Sequence, residues 1–471
     1  MTAVANSAAV PPVSPAANTP DSRIFHRSCK AVPKTALRGK GMYLYDADGK
    51  AYLDGSGGAA VSCLGHGDAK LRRAIRRQTD ALAFAHTGFF TSEPAEELAS
   101  VLIDQAEATI PGNRLSKVYF VSGGSEANEA ALKLARQYFL ELGQPERSKI
   151  IARKQSYHGN TLGALAAGGN MWRREPYEPM LMPVSLIPAC YPYREKEPDE
   201  TDEAYGLRIA NALETEILAA GPETVAAFIA EPVVGATSGA LTPVPGYYKR
   251  IREICDRYGV LLILDEVMCG MGRTGTLYSC AQDGISPDIL TCAKGLGAGY
   301  QPVGAMLVSS GIYDAIAQGS GAFMHGHTYM GHPVACAAGL AVQERFHQDG
   351  LLAKVPERGA RLRKALEKRF GSHPHVGDIR GRGLFLGLEL VADRDSKQCF
   401  DPKHKLHLKV KKAAYALGLI CYPAGGTIDG RQGDHILLAP PFIIGPRDSA
   451  KLVDLLGQAL DQALVEIGAA P

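Results

Sequence analysis

The sequence contains no run of about 18 or more apolar residues, so no segment is long enough to cross a membrane as a helix. Its N-terminus also lacks the charged segment and continuous apolar core of a secretory signal. The formal net charge is only +2, which excludes the strongly basic surface that attracts nucleic acid. These absences predict a protein without membrane or nucleic-acid partners.

Ten cysteines are present, but no two of them form a C-x-x-C pair. Zinc sites are usually marked by such pairs, and disulfide frameworks belong to small secreted chains. The scattered pattern instead predicts buried thiols in a reducing compartment. We therefore expect a cytoplasmic location and no metal centre.

Short apolar strands alternate with helices in the middle of the chain, which predicts an α/β fold with a mostly parallel sheet covered on both faces. The predicted strands are 117–121, 149–152, 225–229, 260–264, 289–291 and 305–308. After about residue 341 the spacing changes and predicts a smaller α+β domain. Its predicted elements are a strand at 384–390 and helices near 356–370, 405–417 and 446–467. Residues 1–22 are mostly Ala, Pro, Ser, Thr and Asn with few large apolar side chains, which predicts a flexible tail.

Two charged residues follow buried strands in an order that suggests a cofactor. Asp265 ends the apolar run 261–264, and Lys294 comes 29 residues later between Ala293 and Gly295. A lysine alone would usually lie on the surface, but a confined apolar position lowers its pKa and makes it nucleophilic. A nucleophilic lysine, and an aspartate that keeps a pyridinium nitrogen protonated, are what pyridoxal phosphate chemistry needs.

A glycine turn precedes a predicted helix at residues 122–129. Gly123 and Gly124 would let the backbone approach a ligand closely. The amides of the helix N-terminus, together with the Ser125 hydroxyl, would hold a phosphate. A plain strand-to-helix turn capped by serine explains the same sequence equally well.

Four further residues end strands or lie in glycine-bounded loops. Tyr157 and His158 follow a strand, where an aromatic ring could stack on a flat cofactor. Glu231 ends the next strand, at the edge where ligands of open α/β sheets collect. Thr328 lies in a polar loop and could donate to a phosphate. A core tyrosine and histidine, a solvated glutamate and a ligand-free loop stay open as simpler explanations.

Two other motifs point towards nucleotides. Asp265-Glu266 after an apolar strand imitates a Walker B motif, but the sequence has no G-x-x-x-x-G-K-[ST] loop. Residues 270–275 fit G-x-G-x-x-G, yet an insert separates them from the strand and no clear acidic partner follows about 20 residues later. A nucleotide-binding dehydrogenase or NTPase is therefore a remote alternative.

In their order along the chain, these segments resemble the class III aminotransferases, which are fold type I pyridoxal phosphate enzymes, over about residues 25–465. The motifs that carry the resemblance are Asp54-Gly55, Gly65-His66, 122–127, Tyr157-His158-Gly159, Glu231-Pro232, Asp265-Glu266-Val267, Gly272-Arg273-Thr274-Gly275, Lys294-Gly295, Gly326-His327-Thr328 and Ala439-Pro440-Pro441. The resemblance implies a large domain at 71–340 with a mixed, mostly parallel sheet. The smaller α+β domain would combine residues 23–70 and 341–471.

The resemblance also implies roles for matching residues. Lys294 would be the Schiff-base lysine, and Asp265 would pair with the pyridinium nitrogen. Tyr157 and Val267 would pack on opposite faces of the cofactor ring, with His158 beside them among the cofactor-binding residues.

The phosphate and the ring substituents would be held by other residues. Gly124 and Ser125 would bind the phosphate, and Glu231 would lie close to the cofactor. Thr328 would reach the phosphate of the neighbouring subunit, so the resemblance implies a homodimer with shared active sites. It leaves open whether dimers pair into tetramers.

The reaction implied is transfer of an amino group from an ω-amino acid or primary amine to a 2-oxo acid, with pyruvate as the expected acceptor and ping-pong kinetics. Candidate substrate residues are Phe89, Phe90 and Arg431; ordinary core packing is an equal explanation for the phenylalanines. Arg431 lies one residue closer to Pro440-Pro441 than the usual family pattern. A decarboxylase, phospho-lyase or aminomutase on the same fold remains an alternative.

Overall fold

The protein is described here by a computed structural model that covers residues 22–470. The predicted flexible tail at 1–22 therefore lies, except for Ser22, outside the described residues. No helix within 22–470 is long and apolar enough to span a membrane.

Residues 22–470 contain fifteen strands and fourteen α-helices. The strands are β1 Ala36–Lys40, β2 Tyr43–Asp46, β3 Ala51–Asp54, β4 Leu115–Val121, β5 Lys149–Arg153, β6 Ser185–Ile187, β7 Val225–Ala230, β8 Leu261–Asp265, β9 Ile289–Cys292, β10 Gly304–Ser309, β11 Val376–Arg382, β12 Phe385–Leu390, β13 Leu419–Ile420, β14 Tyr422–Gly425 and β15 Asp434–Leu438. The helices are α1 Gly57–Ala60, α2 Ala69–Ala81, α3 Glu93–Thr109, α4 Gly124–Glu141, α5 Leu162–Ala167, α6 Met171–Arg174, α7 Pro192–Glu195, α8 Asp202–Ala220, α9 Tyr247–Tyr258, α10 Ser310–Gln318, α11 Pro333–His347, α12 Val355–Phe370, α13 Leu406–Leu417 and α14 Pro446–Glu466.

A seven-stranded sheet forms the centre of the molecule, in the order β4-β10-β9-β8-β7-β5-β6. Strand β10 is antiparallel to both of its neighbours, and the other pairs are parallel. The predicted α/β fold with a mostly parallel sheet is therefore confirmed, and all six predicted strands are present. Strand β6 was not predicted, because three residues are too few to show an apolar period.

Strands β4, β5, β7, β8 and β9 all run in the same direction, so their carboxyl ends meet at one edge of the sheet. Strands β7 and β8 are buried along their whole length, as expected for apolar strands covered on both faces. The residues that follow these strands are thereby gathered at the edge where α/β proteins bind ligands.

Two smaller sheets lie outside the central one, in the orders β1-β2-β3-β13 and β11-β12-β15-β14. Strands β2 and β3 form a hairpin, and Gly49 at its turn donates to the Asp46 carbonyl at 3.1 Å. Strand β13 pairs in parallel with β3, joining Leu419 to Leu53. This pairing supports the division into a large domain and a small domain built from both ends of the chain, which stays a prediction.

Candidate active site

A cavity of about 480 Å³ opens at the carboxyl edge of the central sheet. Every residue predicted to bind a cofactor, except Thr328, contributes to its wall. These residues are Gly124, Ser125, Tyr157, His158, Glu231, Asp265, Val267 and Lys294. The common direction of the strands explains why segments as distant as 124 and 294 meet here.

Lys294 follows β9 after one residue, Ala293, and is partly buried at the cavity wall. Burial lowers the pKa of its amine from 10.5 to about 8, against the opposing charges of Asp265 and Glu231. Its backbone adopts a φ of +44°, a left-handed conformation that is strained for a residue with a side chain. An amine that is about half neutral at pH 8 is a competent nucleophile.

The glycines after Lys294 are required by close packing of the chain. A Cβ atom on Gly295 would lie 2.9 Å from the Cβ of Met271. A Cβ atom on Gly297 would lie 2.2 Å from the carbonyl oxygen of Gln301. The glycines thus let this segment pack tightly, which fixes the position of the Lys294 backbone.

Asp265 ends β8 and is 3% exposed. Its Oδ2 accepts a hydrogen bond of 2.8 Å from Asn128 Nδ2 and lies 2.8 Å from Nδ1 of His158. Its Oδ1 accepts from the backbone amide of Val267 at 2.9 Å. These contacts fix the direction of the carboxylate, so this arrangement suits an aspartate that pairs with a neighbouring cationic group.

Glu231 lies just beyond β7 and is also buried. Its two oxygens accept hydrogen bonds from the amides of Tyr157 at 3.0 Å and Gly235 at 2.9 Å. Burial raises the pKa of the Glu231 carboxyl, and the charge of Asp265 acts in the same direction. The simpler explanation of a solvated loop glutamate is therefore wrong.

The turn between β4 and α4 forms an open set of hydrogen-bond donors. The first amides of a helix lack an intrahelical acceptor. In α4 the Ala127 amide donates to the Gly123 carbonyl. The Ser125 Oγ accepts from the Asn160 amide at 3.1 Å, which leaves the serine proton free to donate into the cavity. A Cβ atom on Gly124 would lie 2.7 Å from Val267 Cγ1, so only glycine fits at the start of the helix.

The aromatic side of the cavity is formed by Tyr157 and His158. The Arg173 guanidinium lies 4.8 Å from the centroid of the Tyr157 ring. The His158 ring is buried, and its Nε2 atom has no hydrogen-bond partner among residues 22–470. A buried polar atom at a cavity wall is a position where a bound group would supply the missing partner.

Four predicted residues do not line the cavity of their own chain. Phe89 and Phe90 are 82% and 67% exposed, so they are not core residues. Thr328 lies in an exposed loop. Arg431 is exposed and forms an ion pair with Glu175.

The G-x-G-x-x-G segment at 270–275 also lies away from the cavity wall. A Cβ atom on Gly272 would lie 2.8 Å from the Leu352 side chain and 3.0 Å from Phe442. These glycines therefore serve packing between parts of the chain, not the binding of a dinucleotide.

The residues of the cavity fit pyridoxal phosphate. They supply a nucleophilic amine at Lys294, a buried carboxylate at Asp265 and free amides with a hydroxyl at 124–125. The thiols and acids elsewhere do not suggest a metal: no group of three or more His, Cys, Asp or Glu side chains within 22–470 is placed to hold one. Eight of the ten cysteines are buried and all ten are free.

Residues 24–460 match the family described as aminotransferase class III. An uncharacterized aminotransferase of Schizosaccharomyces pombe is 45% identical over 445 residues, covering 94% of this chain and 96% of the relative. The crystal structure of an omega transaminase from Pseudomonas jessenii in complex with PMP has a TM-score of 0.86 at 34% identity, covering 93% and 94% of the two chains. An (S)-enantioselective omega-transaminase from Thermomicrobium roseum has a TM-score of 0.83 at 40% identity, covering 92% and 93%.

Proposed function

The chain belongs to the class III aminotransferases, and we propose that it transfers an amino group from an ω-amino acid or primary amine to a 2-oxo acid, with pyruvate as the acceptor. The family match confirms the resemblance found in the sequence, and the cofactor is pyridoxal 5'-phosphate. The observation that carries the proposal is the meeting of Lys294 and Asp265 in one cavity beside a helix N-terminus. The likeness to omega transaminases supports the donor class.

When bound, pyridoxal phosphate supplies an aldehyde and an electron-accepting ring. The Lys294 amine would hold the cofactor at its aldehyde and would move the substrate proton as general base and general acid. The Asp265 carboxylate would hold a proton on the ring nitrogen. The amides at the start of α4 and the Ser125 hydroxyl would hold the phosphate. Because Lys294 serves both half-reactions, we infer that donor and acceptor bind in turn, which gives ping-pong kinetics.

We also propose a homodimer in which Thr328 of the neighbouring subunit completes the phosphate site. Thr328 is exposed in the loop that carries Tyr329, and the Tyr329 ring lies 5.7 Å from that of Phe84. Exposed apolar side chains in residues 82–90 and 324–329 support a contact surface between the two subunits. They are Leu82, Phe84, Phe89, Phe90, Met324 and Tyr329. The cytoplasmic location predicted from the free thiols stays a prediction.

The function is tested by following the visible absorption of the purified enzyme with its cofactor. Addition of β-alanine or a simple amine without acceptor is expected to remove the band of the lysine-bound cofactor. Pyruvate should restore it and yield one alanine for each donor consumed. Product formed without any oxo acid would contradict transamination and would support the decarboxylase, lyase or aminomutase alternative.

We propose that Arg173 contributes more than Arg431 to binding a donor carboxylate. Arg431 already pairs with Glu175, whereas the Arg173 guanidinium lies 4.8 Å from the ring centroid of the cavity residue Tyr157 and has no carboxylate partner among residues 22–470. Because a hydrogen bond to a charged group contributes about 1.5–3 kcal/mol, Arg173→Ala should raise KM for β-alanine on the order of 10- to 100-fold. KM for a simple amine should change little.

The matched variant is Arg431→Ala, for which we expect a smaller rise in KM for β-alanine. Steady-state kinetics with both donors measure the difference. If KM for β-alanine rises in Arg431→Ala and does not rise in Arg173→Ala, Arg431 is the residue that binds the donor carboxylate.

A further inference from the structure

The carboxylate of Asp265 is held by a buried amide that no motif singled out. Asn128 lies on α4, close to the helix start, and is fully buried. Its Nδ2 atom donates to Asp265 Oδ2 at 2.8 Å and to the backbone carbonyl of His158 at 2.6 Å. Both hydrogens of this amide nitrogen are thereby used.

The orientation of the Asn128 amide is set from its other side by Thr291. The Thr291 hydroxyl, on β9, donates to Asn128 Oδ1 at 2.7 Å and is fully buried. Turning the amide over would place its oxygen against the Asp265 carboxylate and the His158 carbonyl, and its NH₂ group would then face the hydroxyl. Two acceptor-to-acceptor contacts make that alternative unfavourable, so the donor is fixed towards Asp265.

The register of the sheet places these groups together. Thr291 is the direct neighbour of Asp265 across the parallel pair β9 and β8. Helix α4 packs over the same strands and brings Asn128 between them. Residues on three elements therefore form one buried, fully satisfied set of hydrogen bonds.

From this geometry we propose that Asn128, oriented by Thr291, is the positioning residue that fixes the direction of the Asp265 carboxylate towards the ring nitrogen of the cofactor. The inference rests on the proposed role of Asp265 and extends it to two residues that do not line the cavity. Without the Asn128 donor, the Asp265 carboxylate would lose one of the contacts that fix its direction, which would lengthen and weaken its ion pair with a proton on the ring nitrogen.

The test is nitrogen-15 NMR of the holoenzyme reconstituted with ring-labelled pyridoxal phosphate. In the wild-type enzyme the ring nitrogen should give the signal of a protonated pyridinium across the working pH range. In Asn128→Ala the midpoint of its titration should fall by about one to two pH units, because a misaligned carboxylate forms a weaker ion pair with the ring proton. A merely structural loss would lower the amount of folded protein without moving this midpoint.

Thr291→Val and Thr291→Ser separate orientation from packing. Valine keeps the volume but removes the hydroxyl, so a smaller shift in the same direction is expected; serine keeps the hydroxyl and should restore the wild-type midpoint. Asn170→Ala is the matched control, because Asn170 is also buried but contacts Gln155 rather than Asp265. In Asn170→Ala the midpoint of the ring-nitrogen titration should not change.

The outcomes separate this inference from the proposed function. Failure of Lys294 to capture the cofactor, or a neutral ring nitrogen in the wild-type enzyme, would overturn both. A protonated wild-type signal with an unchanged midpoint in Asn128→Ala and Thr291→Val would overturn the positioning role alone. If Asn128→Ala does not fold, the Thr291 pair decides the question.

Discussion

Replacing Lys294 with alanine is expected to abolish turnover while pyridoxal phosphate still binds without a covalent link. The variant loses the nucleophile and the proton-transferring group together, and general acid–base catalysis alone accounts for about 100- to 10,000-fold of rate. The phosphate donors at 124–125 and the Asp265 carboxylate are untouched, so binding should persist. Borohydride reduction followed by mass spectrometry should label Lys294 in the wild-type enzyme and leave the variant unlabelled.

The pH dependence of covalent capture provides a second readout for the same residue. Because burial lowers the pKa of Lys294 to about 8, the amine is protonated below that pH and neutral above it. Capture of pyridoxal phosphate by the cofactor-free protein should therefore rise about tenfold per pH unit up to about pH 8 and then level off. A rate that keeps rising to pH 10 would show an unperturbed lysine. Lys133→Ala, at an exposed lysine, is the control.

Asp265→Asn is expected to lower kcat about 1,000-fold. An ion pair between a carboxylate and a protonated ring nitrogen contributes about 4 kcal/mol at about 4 Å and an effective dielectric constant of about 20. Each factor of ten in rate corresponds to about 1.4 kcal/mol. Asparagine keeps the shape of the side chain but not its charge, so the cofactor should remain bound and KM for the donor should change little.

Single-turnover kinetics of the donor half-reaction measure this effect without interference from product release. Asp283→Asn is a suitable control, because Asp283 pairs with Arg382 at 2.9 Å and does not line the cavity. It should react at the wild-type rate. A near-normal rate in Asp265→Asn would rule out the proposed role of this aspartate.

Much of the cavity could be predicted because its residues follow local signals. An apolar run that ends at Asp265 marks the end of a buried strand without knowledge of the rest of the fold. The same holds for Glu231 after β7 and for the glycine turn before α4. Once the strands are taken as parallel, their carboxyl ends must share one edge, which brings these residues together.

Other features had no local signal. The helical period of α4 accounts for the apolar residues around Asn128 but does not single out Asn128 itself. Thr291 occupies an ordinary position in strand β9. Arg153 was likewise overlooked, although its buried guanidinium donates to the carbonyl of Glu231. In the sequence, Phe89 and Phe90 fit the core and a pocket equally well, and only their exposure in the structure excludes the core.

The family, the α/β class and the residues that end the central strands follow from local features of the chain, namely apolar runs, glycine turns and their order. The buried groups that hold Asp265 and the position of Arg431 depend on how the chain folds. Hydrogen bonds such as Asn128 to Asp265, or the ion pair of Arg431 with Glu175, join residues far apart in the chain. Such contacts depend on strand register and helix packing, which no single segment specifies.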